Sequence, residues 1–209
     1  MPLTATPVLH RLAARRALET TAFGYEVVAE SRRLADCVRT LQWIDCWCPD
    51  TAQFILVEVS SDLTASTCAG VLWAITESHL QHKIRLICSA GMLNDSELLK
   101  VLHDHEIGFV LASTDESELA WSAGKGALGV HMKASTRPDP RRVGRLLNSA
   151  HHLGMRSIAS QTTSPEAARN LLSWGFDYVS QRDGGFTPPE PSFAWQDGQA
   201  KGVERRGRE

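Results

Sequence analysis

Glu58 closes the apolar run Phe54-Ile55-Leu56-Val57, and Lys133 follows Val130-His131-Met132. A charged group ending such a run must reach water, a cation or a buried donor, because desolvating it alone is costly. Glu58 therefore reads in two ways: as a carboxylate offered to a ligand, or as the partner of a nearby lysine at a wet strand end. Lys133 carries the same two readings, the second being an ordinary strand-end lysine that snorkels to solvent. Thr114 with Asp115, and Ser89, Ser160 and Ser180 also lie at or just past the ends of β-prone runs, and Glu26 in Gly24-Tyr25-Glu26 lies within the first run and is a candidate with them. In a parallel barrel these positions share one face, the carboxyl ends of the strands, where chemistry belongs.

Other constellations are weaker. Cys46-x-Cys48 lacks the two-residue spacer of a zinc knuckle and reads as packing. His103 with His105 and adjacent His151 with His152 fall on helical patterns, where spacings of two and one send side chains to different faces. Gly124-Lys125-Gly126 lacks both the preceding glycine and the hydroxyl residue of a phosphate loop. No Gly-x-Ser-x-Gly elbow is present, and no serine has an evident base partner. Trp121 and Trp174 read as core or as anchors of a docking surface.

The elements that must position these residues alternate. β-Prone runs cover Phe23 to Ala29, Phe54 to Val59, Ile84 to Cys88, Phe109 to Ala112, Leu128 to Met132, Ser157 to Ala159 and Tyr178 to Ser180. Most are apolar on both faces, as in a parallel sheet covered by helices. Between them, Ser164-Pro165 opens a helix that Gly175 ends. Arg141 to Leu153 places Val143, Leu146, Leu147, Ala150 and Leu153 at helical spacing before Gly154. Asn94 with Glu97 resembles a capping box. Repeated βα units allow a doubly wound sheet or a closed (β/α) barrel. The barrel is favoured because Glu26-Val27-Val28-Ala29-Glu30-Ser31 has no glycine for a dinucleotide turn.

With 209 residues the chain suits one domain, taken as 1–195, followed by a disordered polar tail over 196–209. The 22 basic against 24 acidic side chains give a net charge of −2 and argue against nucleic acid, whose non-specific binding needs a broad basic field. No run approaches the roughly 20 apolar residues of a membrane span. Arg11, Arg15 and Arg16 superficially suit a transit peptide, but Met1 to Ala22 lacks the apolar block of a secretory signal. Five cysteines suit a reducing, cytoplasmic setting with unpaired, mostly buried thiols.

Four segments, in order, carry a resemblance: Phe23-Gly24-Tyr25-Glu26, Val57-Glu58-Val59-Ser60, Leu153-Gly154-Met155-Arg156-Ser157-Ile158-Ala159 and Trp174-Gly175-Phe176-Asp177-Tyr178-Val179. They resemble the GYE-A-L, N-x-S, LGxxxxAEGVET and xGxDYVQGY segments of the EAL family of cyclic-di-GMP phosphodiesterases, over about Pro7 to Phe193. The short stretch between Glu30 and Phe54 is similar to that of the reduced EAL modules that accompany HDOD domains, although no HDOD-sized segment follows. The resemblance implies an α/β fold, a TIM-like (β/α) barrel of the EAL type, in which two divalent ions, Mg or Mn, activate water.

Carried over by position, the family's metal ligands fall on Glu26, on Glu58 in place of asparagine, on Ile87, and on Thr114 with Asp115. The catalytic lysine falls on Lys133, followed by Ser135 where aspartate is usual. Ser160, Thr163 and Ser180 take the places of two glutamates and a glutamine, and Glu30 takes that of a phosphate-holding arginine. Glu26, Glu58 and Asp115 are thus remnant metal candidates and Lys133 a remnant catalytic one.

The expectation is a degenerate, non-catalytic regulatory module of bacterial signalling, without a cofactor. It would act through an unidentified protein partner or a second copy of itself, and cyclic di-GMP is not the expected ligand. The alternatives are a cyclic-di-GMP phosphodiesterase with a rearranged ligand set, a cyclic-di-GMP receptor, and an unrelated small-molecule barrel enzyme.

Overall fold

The computed structural model describes residues 8–14, 22–28, 54–58, 64, 69–76, 81–133, 139–162 and 164–186. They form a closed barrel of eight strands in sequence order. β1 (Val8–Ala14) runs antiparallel to both its neighbours, β2 (Ala22–Val28) and β8 (Tyr178–Phe186). From β2 onward all pairings are parallel, through β3 (Phe54–Glu58), β4 (Ile84–Ser89), β5 (Gly108–Ala112), β6 (Gly129–Lys133) and β7 (Arg156–Thr162) to β8. The helices between strands are α1 (Ala69–Thr76), α2 (Ala90–Leu93), α3 (Ser96–Asp104), α4 (Ser117–Gly124), α5 (Pro140–His152) and α6 (Pro165–Trp174).

Continuous apolar runs are explained by burial on both faces. On β3 to β5, Ile55, Val57, Ile84, Leu86, Cys88, Phe109 and Leu111 pack outward against the helices, sharing a core with Val71, Leu98, Leu102 and Leu119. The alternate residues Leu56, Ile87 and Val110 meet Ile158 inside the barrel, closed by Phe54 and Tyr178, whose rings stand edge to face at 4.9 Å. Cys88 is an unpaired, buried thiol, its pKa pushed up to about 12 by desolvation. Cys46 and Cys48 lie outside the described residues.

All seven expected strands are present, and the elements differ from expectation at several points. β1 lies within the stretch weighed as a leader. β8 does not stop at Ser180: it runs to Phe186, with an irregularity that lets Leu9 pair with Phe186 while Leu12 pairs with Ser180. The cap of α3 is Asp95, whose Oδ1 accepts from the amides of Glu97 and Leu98; Asn94 instead ends α2.

Asp139 and Ser164 cap α5 and α6, each before a proline whose missing amide hydrogen leaves no donor unsatisfied. Gly175, at φ 116°, ends α6 in the left-handed turn that glycine favours. Leu153 lies beyond the last turn of α5 and is 41% exposed, so it leaves the buried face formed by Val143, Leu146, Leu147 and Ala150. The proposed tail 196–209 lies outside the described residues. No helix among those described is long and apolar enough to cross a membrane.

Candidate functional site

Two residues beyond the interior layer, the same strand faces present Glu58 on β3, Ser89 on β4, Lys133 on β6, Ser160 on β7 and Ser180 on β8. These are five of the residues expected at the mouth; Glu26, Thr114 and Asp115 are not among them. Their chemistry is dominated by one contact: Lys133 Nζ donates to Glu58 Oε1 at 2.6 Å and Oε2 at 2.7 Å. The side chains are 43% and 39% exposed, so the pair bridges β6 and β3 at a wet rim. Of the readings open for these residues, the structure shows mutual pairing.

Among the described side chains, the rest of the layer is uncharged. Ser89 Oγ accepts from the amide of Met92 and caps α2. Ser160 Oγ is buried with no hydrogen-bond partner among the described residues, whereas the carbonyl of Ser180 accepts from Thr162 Oγ1 at 2.8 Å. Ile87, where the resemblance places a carboxylate, is part of the apolar interior.

Asp115 does not join this group. Its Oδ1 accepts from the amide of Ser117 at the start of α4, and its own amide donates to Ser113 Oγ. The hydrogen bonds from Ser117 hold its carboxyl below the usual carboxylate range, helped by the charge of Arg142. Arg142 itself donates from Nε to the carbonyl of Thr114. Glu26 sits on β2 with its backbone in register with His10 and Leu56. Glu30, Ser135 and Thr163 lie outside the described residues. Among the described residues, no three His, Cys, Asp or Glu side chains are grouped to hold a metal ion.

One serine does have a histidine neighbour. Ser157 Oγ lies 3.4 Å from His151 Nε2, but Asp177 Oδ2 approaches that same nitrogen at 3.2 Å. A relay needs the acid and the serine on opposite ring nitrogens, and Ser157 is fully buried. Asp177 Oδ2 also accepts from the amide and hydroxyl of Ser157, so the group ties the starts of β7 and β8 together. Of the two tryptophans, Trp121 packs against the main core beneath Lys125, and Trp174 is 40% exposed.

No protein-family model matches the chain, and no curated protein matches it by sequence. Solved structures do. The EAL domain of Mycobacterium smegmatis DcpA superposes with a TM-score of 0.64 at 17% identity, covering 84% of this chain and 90% of that one. An EAL domain protein from Listeria monocytogenes EGD-e gives 0.65 at 11%, covering 87% and 88%. A standalone EAL protein from Vibrio cholerae O395, solved in its c-di-GMP-bound form, gives 0.63 at 14%, covering 87% and 91%. At such identities the likeness is one of architecture: the chain folds as a (β/α) barrel of the EAL type.

Proposed function

We propose that this chain is a degenerate EAL-type barrel, a cytoplasmic, non-catalytic regulatory module that works through contact with a signalling protein or a second copy of itself. The observation that carries this reading is the ion pair at the mouth. A two-metal hydrolase needs carboxylates converging on two cations a few Å apart. Here Lys133 already supplies the positive charge that Glu58 faces, and it meets both oxygens. Ile87 lends no ligand, and Asp115 is spent on the α4 turn. The described donors therefore do not fit a two-metal centre. Fold-building residues are kept while metal-binding chemistry is not, and a fold does not carry an activity by itself.

The test is incubation of the full chain with cyclic di-GMP and Mg²⁺ or Mn²⁺. The expected result is no linear product. Linear product formed at a rate abolished by Glu26→Ala would overturn the reading. Titration calorimetry with the same dinucleotide is expected to show no heat; micromolar binding without turnover would replace this reading with that of a receptor. Co-purification from the native host should recover a stoichiometric protein partner.

A further inference from the structure

At the end of the barrel opposite Glu58 and Lys133, the starts of β4 and β5, the last turn of α3 and the approach to β6 border an open cleft of about 420 Å³. That volume falls within the range of small-molecule sites, roughly 300–1,000 Å³. His82, Arg85, His103 and Glu106 supply its polar wall, and Leu128, 48% exposed, joins Leu102, Ile107 and Phe109 in its apolar one.

Arg85 is the unusual member. It is half-buried, and desolvation lowers its pKa, although a guanidinium stays charged in a protein. Nη1 donates to the carbonyls of His82 and Ile84, both at 2.7 Å. Among the described residues no carboxylate pairs with it, and its Nε–Nη2 edge has no partner. Two neutral carbonyls fix the stem and one end of the fork, leaving the edge whose two parallel N–H groups match a carboxylate. Gly108 makes room for this arrangement: a Cβ there would fall 2.5 Å from Arg85 Cδ and 2.7 Å from Nε.

Glu106 gives the second observation. It closes α3 at φ 54°, whereas α4, α5 and α6 are closed by Gly126, Gly154 and Gly175. A carboxylate is thus kept in the cleft wall at a position where glycine would be relaxed, and strain of that kind gathers at functional sites.

We propose that this cleft binds a small organic monocarboxylate, with its two oxygens on the Nε–Nη2 edge of Arg85 and its apolar body against Leu128. Glu106 sets the charge limit: the wall holds this carboxylate as well as the Arg85 guanidinium, with no ion pair between them, so a monoanion is favoured over a dianion. The site is independent of the mouth and of the regulatory reading above.

The experiment is calorimetric titration of the full chain with benzoate at millimolar concentrations, alongside inorganic phosphate. Saturable benzoate binding is expected, weakened at least ~10-fold in Arg85→Met and also in Arg85→Lys, which keeps the charge but not the fork. Glu106→Gln is expected to tighten benzoate, and phosphate, dianionic in part at neutral pH, not to displace it. If Arg85→Met fails to fold, the Glu106→Gln and Arg85→Lys titrations carry the test. Three results would each overturn the proposal: no benzoate binding by the unaltered chain, equal binding in the folded Arg85 variants, or displacement of benzoate by an equal concentration of phosphate.

Discussion

The two ends of the barrel hold their cations in opposite ways. At the mouth, Lys133 meets both oxygens of Glu58 across the rim, so each charge satisfies the other. At the floor, Arg85 leans on the carbonyls of His82 and Ile84, and no described carboxylate answers its charge. A matched pair at a wet rim leaves little field for a ligand. A half-buried guanidinium held only by neutral acceptors keeps its charge for whatever enters. The expected active end is thus electrostatically closed, and the end usually associated with stability carries the unanswered group.

The largest effects are expected at two glycines near the floor. A Cβ at Gly129 would fall 2.4 Å from the backbone oxygen of Arg156, so an alanine there must push β6 from β7. The atoms nearest to a Cβ at Gly108 would be side-chain atoms of Arg85 and Leu128, which can swing aside. Overpacking of the first kind should cost about 3 kcal/mol in urea unfolding, and Gly108→Ala about 1 kcal/mol. Gly108→Ala should also weaken benzoate binding, since Arg85 must leave its place. Equal losses of stability would mean that Arg85 is held as rigidly as backbone, and the floor could no longer be called adaptable.

At the mouth the expected effect is smaller. Both partners of the Glu58–Lys133 pair are about two-fifths exposed, so a double-mutant cycle with Glu58→Gln and Lys133→Met should return a coupling of about 1 kcal/mol or less. Raising the salt concentration should shrink it. A coupling that is zero at low salt would remove the ion pair as the feature distinguishing the mouth from the floor.

The contrast was only half legible in sequence. Glu58 and Lys133 stand out because each interrupts an apolar run, and strand parity places both at one end of a barrel. Their pairing across three strand positions depends on closure of the barrel, which no local pattern encodes. β1 was missed for a related reason: Val8 to Ala14 carries His10 and Arg11 among apolar residues and is defined by its partners β2 and β8.

Arg85 gave no signal. In Ile84-Arg85-Leu86-Ile87 it looks like a strand-edge charge, and only the space over Gly108 shows where its side chain lies. Glu106 is legible in retrospect, as the residue without a glycine at a helix end where its counterparts have one. Capping erred by one residue, from Asn94 to Asp95, because two adjacent residues can both accept amide hydrogens and the short α2 uses the first.

The smallest effect concerns Asp115, the remnant carboxylate that lies apart from the mouth group. If Asp115 serves α4 rather than a metal, its titration should follow Ser117. The amide and hydroxyl of Ser117 stabilise the ionised carboxylate, and Arg142 adds to this, so its folded pKa lies below the unfolded value of about 3.9. The linked stabilisation is therefore complete above that unfolded value and is lost as pH falls through the lower folded pKa. Carboxyl-detected NMR should place the Asp115 midpoint below those of ordinary aspartates. Ser117→Ala should move it part of the way back, because the hydroxyl goes while the amide stays. Added Mg²⁺ should leave it unmoved, since a carboxylate turned to an amide at a helix start gains nothing from a distant cation. A midpoint in the ordinary range that falls further with Mg²⁺ would return Asp115 to the mouth as a ligand, and the mouth would then have a use for charge that its ion pair does not satisfy.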